Sequence, residues 1–250
     1  MNKYLLLALL AATHPARADD GSFSLGAGFD FSSGKYGGDT STNILYVPVV
    51  ARYETDSLTL KLTVPYIRVT SLGNVVRGMG VISRTAATRT TTQSGLGDVV
   101  ATAAYGVYDA SSLMLDVAAN VKFGTASASK GLGTGENDYS AQLDAYYTVS
   151  ATTLFATAGH KIVGAPEGIA VNNINYGTLG VSQKLNEKHT AGIMLDVAQS
   201  PTELAPGTRE LTAFFTNKLG SDRKLQTSVM KGYSDASPDW GVNLMLTNYF

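Results

Sequence analysis

Few residues in this chain could do covalent chemistry, and none of them sit in a recognisable catalytic spacing. There are three histidines, His14, His160 and His189, and no cysteine. Without a thiol there is no disulfide framework, no thiol nucleophile and no zinc-finger ligand set. Lone histidines this far apart make a poor transition-metal site. The glycine clusters Gly95-Leu-Gly97 and Gly131-Leu-Gly-Thr-Gly135 do not complete G-x-G-x-x-G, and no helix pattern follows them, so nucleotide binding has no support. What remains is a recurring set of charged and aromatic side chains at alternate positions. These include Asp30, Arg52, Lys61, Asp98, Asp116, Lys122, Asp144, Lys161, Lys184, Asp196 and Lys218, together with Tyr46, Tyr108, Tyr146, Phe155 and Phe214. Side chains spaced in this way can line a surface past which a solute moves.

The elements that hold them are strands. From Ser22 to Phe31, one parity reads Phe23, Leu25, Ala27, Phe29, Phe31 and the other Ser22, Ser24, Gly26, Gly28, Asp30. That is period two, with one apolar face and one small or polar face. The split recurs in Leu58, Leu60, Leu62, Val64 and Tyr66 against Thr59, Lys61, Thr63 and Pro65, and again along Leu113 to Phe123 and Tyr139 to Tyr147. Twelve such segments are expected, at 22–31, 44–53, 58–68, 97–108, 113–123, 139–149, 154–163, 174–185, 190–199, 210–219, 224–233 and 240–250. Five connections are tight: 54–57, 109–112, 150–153, 186–189 and 220–223. Six are longer and rich in Gly, Ser, Thr, Asn and Asp, the longest running from Val69 to Leu96.

Short and long connections in strict alternation mark an all-β fold, a single transmembrane antiparallel up-and-down β-barrel with short periplasmic turns and long extracellular loops. With twelve strands, both termini fall in the periplasm. The composition agrees. Only 16% of the chain is charged although 44% is hydrophobic, against about 25% charged in a typical soluble domain. A mean hydropathy of +0.03 is too polar for a bundle of membrane helices. The net charge of −1 points to no nucleic-acid surface. Residues 1–18 read as a cleaved signal peptide. Lys3 is followed by the apolar run Tyr4 to Ala12, and Ala16-Arg17-Ala18 forms an A-x-A cleavage pattern. The barrel then occupies residues 19–250, and its destination is the bacterial outer membrane.

In hydrocarbon every backbone N–H and C=O must find a partner, which only a closed sheet provides. Apolar residues then face lipid and polar ones the lumen, with aromatics gathered at the two interfaces. Tyr53, Tyr66, Tyr139, Tyr147, Trp240 and Phe250 fall at strand ends on the outward parity. The last segment, with Trp240, Tyr249 and Phe250, alternates to a terminal phenylalanine. Such an ending resembles the signal read by the outer-membrane assembly machinery, an expected partner alongside lipid and lipopolysaccharide.

Three stretches carry a family resemblance. Ser94-Gly-Leu-Gly-Asp98-Val-Val opens the fourth segment. Lys122-Phe-Gly-Thr125 is followed by Gly131-Leu-Gly-Thr-Gly135, and Gly232-Tyr-Ser-Asp235-Ala-Ser-Pro-Asp239 precedes the last strand. Together they resemble the MetA-pathway-of-phenol-degradation family of outer-membrane proteins, over nearly the whole chain beyond residue 18. The departure is Gly124, where that family usually has proline. The resemblance implies an outer-membrane barrel admitting small compounds, aromatic or hydrophobic ones among them, with no enzymology.

A twelve-stranded barrel lies between one filled by side chains and one holding a wide water channel. Its inward parity is expected to carry the charges named above and Arg68. Those near the short turns, Arg52, Lys61, Lys184 and Lys218, form either an anion-selective zone or a set of wall-tying ion pairs. The inward aromatics, with Met114, Met194 and Met230, either stack on an aromatic solute or fill volume. The Val69–Leu96 segment carries Arg77, Arg84 and Arg89 and no acid. It either constricts the lumen or meets lipopolysaccharide phosphates. A barrel can also be a lipid-face hydrolase, which needs a serine beside a histidine. Counting pairs across hairpins sets His160 beside Leu143 and Gly177, with no serine in reach. The reading is therefore a passive outer-membrane channel or transporter for small solutes, without cofactor. A closed structural or surface-interaction barrel is the alternative. N-terminal sequencing of the exported protein is expected to begin at Asp19.

Overall fold

The computed structural model describes residues 21–38, 40–72, 75–76, 80–81, 89–204 and 206–250; the expected leader, Arg77 and Arg84 lie outside them. The strands are β1 (Ser22–Gly34), β2 (Thr42–Glu54), β3 (Leu58–Ser71), β4 (Val75–Val76), β5 (Gly80–Val81), β6 (Thr91–Leu96), β7 (Val100–Asp109) and β8 (Leu113–Lys122). There follow β9 (Asp138–Val149), β10 (Thr152–Ile162), β11 (Ile174–Lys184), β12 (His189–Ala198), β13 (Thr208–Lys218), β14 (Arg223–Gly232) and β15 (Trp240–Tyr249). Among the described residues the one helical turn is Ala128–Lys130, and no helix is long and apolar enough to cross a membrane.

Each strand pairs antiparallel with its sequence neighbours, and β1 pairs with both β2 and β15, so the sheet closes on itself. β4 and β5 form a separate small hairpin in the long β3–β6 connection. β6 and β7 run in series along β3, against residues 66–71 and 58–63 respectively, so the closed wall has twelve staves. A single strand over 97–108 was the sequence expectation. The stave instead breaks at 97–99, opposite Pro65, which has no N–H to offer the ladder. Gly97 N–H still donates to Pro65 O at 2.8 Å, and a Cβ on Gly97 would stand 3.0 Å from the proline ring. Asp98, released from pairing, is turned into the barrel.

The alternation is the reverse of a soluble protein's. Outward positions are apolar and exposed, from Leu25 and Phe29 to Leu179, which is 65% exposed. Inward positions such as Ser24, Thr63, Thr102, Gln142, Thr178, Thr212 and Gln226 are polar and buried. Short turns close one end, at 55–57, 110–112, 150–151, 185–188 and 219–222, and the long loops gather at the other. Local chemistry makes the turns tight. Asn186 Oδ1 accepts from Lys188 N and His189 N at 2.9 and 3.0 Å, and Ser150 takes a left-handed φ of 55°.

Two expected luminal residues lie on the other face. Arg68 shares the outward parity of Leu60, Leu62, Val64 and Tyr66 and is exposed, so it belongs to the outer wall near the long-loop end. Tyr108 follows a β-bulge between Gly106 and Tyr108. The extra residue, Val107, shifts the parity, pairs Tyr108 with outward Leu115 and leaves it 51% exposed.

Closure depends on a close approach at β1. A Cβ on Gly28 would lie 2.1 Å from Leu244 O and 2.9 Å from Met245 Cα, both backbone atoms of β15. At Gly26 the nearest atom is the side-chain Thr247 Oγ1, at 3.2 Å. Gly28→Ala is expected to destabilise the barrel by about 1–3 kcal/mol, the usual range for overpacking. It would be read as a lower temperature for loss of the compact band on semi-native electrophoresis, with Gly26→Ala close to wild type.

Candidate functional site: a lumen striped by charge

The structure places Asp30, Arg52, Lys61, Asp116, Lys122, Asp144, Lys161 and Asp196 on the lumen wall, with Tyr46, Tyr146, Phe155 and Phe214. Lys184 and Lys218 have inward parity but stand exposed at the short-turn mouth, and Lys184 Nζ is bonded to Glu187 Oε1 at 3.1 Å. Four inward charges were missed: Glu54, Asp138, Glu210 and Lys224. Glu54 and Asp138 lie one step beyond the segments expected from the sequence, and Glu210 and Lys224 open theirs.

Rows of side chains paired across the strands organise these groups. One row runs Asp116, Asp144, Thr157, Thr178, Asp196, Glu210 through β8–β13. Thr178 and Thr157 hydroxyls donate to Asp196 Oδ1 and Asp144 Oδ1 at 2.6 and 2.5 Å. The next row toward the short turns on β9 runs Met114, Tyr146, Phe155, Gly180, Met194, Thr212, Met230. A third runs Arg52, Lys61, Thr102, Asn120, Ser140, Lys161. Because barrel strands tilt by about 35–45°, rows perpendicular to them climb the wall. Each row therefore starts near one mouth and ends near the other, and the lumen carries an acidic, an apolar and a basic stripe.

The apolar stripe fits because glycines face its rings. A Cβ on Gly180 would be 2.2 Å from Phe155 Cζ, and one on Gly192 would be 2.3 Å from Phe214 Cζ. Each ring thus lies against the backbone of the neighbouring strand, where only glycine leaves room. Tyr146, Phe155, Met194, Phe214 and Met230 form one buried cluster, with Met114 packed on it.

A second buried cluster lies at the long-loop end. Tyr36, Val75, Ala126 and Leu132 come from three loops and pack on Ile44, Tyr46, Ile67 and Val69 of the wall, with Leu204 of a fourth loop against them. Tyr36 OH donates to Ser32 Oγ at 2.6 Å, and Gly37 N–H to Asp235 O at 2.6 Å, tying the first loop to the last.

The three family-like stretches build this cap. Lys122 Nζ lies 3.1 Å from Asp138 Oδ2 and 3.6 Å from Asp98 Oδ2, all three well buried. Asp98 Oδ1 accepts from Ala126 N at 3.1 Å, Thr125 Oγ1 donates to Gly97 O at 3.0 Å, and a Cβ on Gly133 would stand 2.9 Å from Asp98 Oδ1. Gly124 N–H donates to Asn137 Oδ1 at 2.9 Å, a bond that proline there would forfeit. In the third stretch Ser237 Oγ accepts from Arg209 N and donates to Arg209 O. These motifs anchor loops to the wall.

The outer face carries little chemistry. His160 pairs with Ala141 and Asn175, two residues along from the expected Leu143 and Gly177, and its Nδ1 lies 2.8 Å from Asn175 Oδ1. Ala158 and Ile162 flank it on the same face, so none of these four neighbours supplies a hydroxyl nucleophile. An outward depression of about 460 Å³ is floored by Ala51, Ala101, Ala103 and Ala119 and rimmed by Phe23 and Tyr53. Trp240 and Phe250 point outward and pack on Phe31 and Phe23, while Tyr249 has inward parity and is half-buried. Among the described residues no group of three or more His, Asp or Glu is placed to hold a metal ion.

No family model matches the chain, and no curated protein matches it. Its fold is similar to that of solved outer-membrane barrels. The KdgM porin in complex with disordered oligogalacturonate shares 10% identity over 91% of this chain and 99% of that one, with a TM-score of 0.56. The NanC porin shares 8% identity over 90% and 98%, at 0.57. The translocator domain of the autotransporter NalP from Neisseria meningitidis shares 11% over 98% and 92%, at 0.56. The chain therefore has the closed antiparallel twelve-strand barrel fold of these outer-membrane proteins.

Removing the lysine at the centre of the cap leaves two buried carboxylates without their cation. Lys122→Met is expected to cost about 3–5 kcal/mol. Proteolysis should then cut within 123–137 while the wall stays resistant.

Proposed function

We propose that the protein is an outer-membrane conduit for passive passage of small solutes, apolar or aromatic compounds among them, closed at rest by its own extracellular loops. The observation that carries this reading is the apolar stripe of Tyr146, Phe155, Met194 and Met230. It climbs the lumen toward the loop cluster of Tyr36, Tyr46 and Leu132. A wall needing only filler could use the Ser, Thr and Gln found elsewhere in it. A continuous greasy track offers an apolar solute a sequence of equivalent contacts, with rings set flat on the wall. The charged stripes beside it would bias which solutes enter. The resemblance to the MetA-pathway-of-phenol-degradation family supports the same solute class. The leader assigned to residues 1–18 supports export to the outer membrane. Assembly would use the strand ending in Trp240, Tyr249 and Phe250, and exposed Arg89 suits lipopolysaccharide phosphates. Neither diffusion nor binding in this scheme calls on a cofactor or a covalent step.

The loop cluster also favours a second reading, a closed barrel whose loops bind partners. Conductance and flux separate the two. Refolded protein in a planar bilayer is expected to be nearly silent, with Tyr36→Ala combined with Leu132→Ala raising conductance severalfold by unpacking the seal. Vesicles bearing wild-type protein should take up toluene-sized solutes faster than empty vesicles, and Phe155→Ser should slow that uptake. A silent double variant with no solute flux would instead leave the closed-barrel reading standing.

A further inference from the structure

The outer face of the wall carries charge of one sign, and mostly at one end. Among the described residues four outward strand positions hold a charged side chain: Arg68 on β3, Arg209 on β13, and Arg223 and Lys231 on β14. None holds an acid. Arg223 opens β14 at the short-turn end and pairs with Asp222. The other three stand exposed at the long-loop end without an acid partner.

Two of these three are neighbours. Lys231 is the direct partner of Leu211 on β13 and of Trp240 on β15, and Arg209 lies two residues from Leu211 on the same face. Such diagonal positions are about 7–8 Å apart, within reach of long side chains. Arg209 is fixed from behind. Its carbonyl accepts from Tyr233 N–H at 2.8 Å and from Ser237 Oγ at 3.1 Å, and its own N–H donates to Ser237 Oγ at 3.0 Å. Trp240 packs on Phe31 with ring centroids 5.4 Å apart. Ser33 pairs with Trp240, and exposed Lys35 follows two residues further along. Asp235 and Asp239 are exposed in the loop between β14 and β15, and neither is ion-paired with Lys35, Arg209 or Lys231. On β9 to β12 the outward positions near this end are the uncharged Tyr139, Ile162, Asn175 and Val197.

We propose that this sector binds a phosphorylated glycolipid of the outer leaflet, lipopolysaccharide, its lipid A phosphates held by Lys35, Arg209 and Lys231 and its acyl chains lying on Trp240, Val229 and Val242. A cation on the lipid face is costly at depth and cheap at the interface, where anionic headgroups come within its reach. Long basic side chains lay their stems on the apolar wall while their heads meet the headgroup layer. Contact with water would suit such cations equally at either end of the wall. Three without an acid at the long-loop end, against one paired with Asp222 at the other, matches a leaflet whose lipids carry phosphate. The inference rests on the outer-membrane reading with the long loops outward, and it does not require the lumen to conduct.

Trp240 is the single tryptophan of the chain and belongs to the site, so its fluorescence reports occupancy. The full mature barrel in non-ionic micelles is titrated with bisphosphorylated lipid A at low salt, with bound lipid counted in parallel by native mass spectrometry. Saturable binding is expected, weakened at least threefold in Arg209→Gln or Lys231→Gln, at least tenfold when both are combined, and weakened by added salt. Lipid A stripped of phosphate and phosphatidylglycerol should each bind at least tenfold more weakly, and inorganic phosphate should not displace the lipid. Arg223→Gln, at the opposite end, should bind as wild type does. A compact band on semi-native electrophoresis identifies the folded variants, and the single variants carry the test should the double one fail to fold. No saturable binding by either readout, or binding unchanged in the folded variants, would overturn the site. So would equal binding of phosphate-free lipid A. Phosphatidylglycerol binding as tightly would leave only attraction to an anionic surface, and displacement by inorganic phosphate would leave a plain anion site; either result also overturns it. Solute flux without lipid A binding would sink this site alone, whereas lipid A binding without flux would sink the conduit alone.

Discussion

Everything in this molecule follows from one constraint: in hydrocarbon, each strand must pair its backbone on both sides. The β1–β15 seam meets it, and its close approach at Gly28 shows how little slack the seam has. Once the sheet is closed, side chains have only two places to go. Apolar ones face lipid, and polar ones are forced into a lumen that twelve strands make narrow. Buried charge is then a geometric consequence of the wall. The protein handles it by ion pairing at Lys122, by hydroxyl donation at Asp196 and Asp144, and by leaving Lys184 and Lys218 exposed at the short-turn mouth.

Strand tilt turns this into a pattern that no single strand contains. Asp116 and Glu210 are far apart in sequence and sit near opposite mouths, yet one ladder row joins them. The rings of Phe155 and Phe214 likewise depend on Gly180 and Gly192 of neighbouring strands. The lining of such a barrel is a property of rows across strands, and a register slip in one hairpin would break all three stripes together.

The strands themselves were legible because period two is a local signal, and the strict alternation of loop length gave topology and orientation. Parity arithmetic also placed most luminal residues. It failed where the backbone departs from regular pleat: the bulge at Val107 turned Tyr108 outward, and the Pro65-induced break split the fourth stave. Arg68 was misplaced although its even number puts it on the lipid face, since a charge invites an inward reading near a mouth where lipid contact ends. Rows such as Met114–Tyr146–Phe155 could not be read, because they need the register between hairpins. His160 shows the size of that error, a shift of two residues. The cap was least legible of all. Its apolar members, Tyr36, Val75, Ala126 and Leu132, are spread over three loops, and only the fold brings them together.

The cap and the wall are joined by few bonds of the kind that hold the wall itself. Tyr36, Val75 and Leu132 contribute packing, whereas the staves are held by continuous backbone ladders. Local opening free energies in proteins range from near zero up to the global value, in cooperative units. Here the loop packing and the ladder of the wall are two different kinds of contact, meeting at the long-loop end of the barrel. The loop packing and the wall should accordingly come apart in separate steps on heating, the loops first.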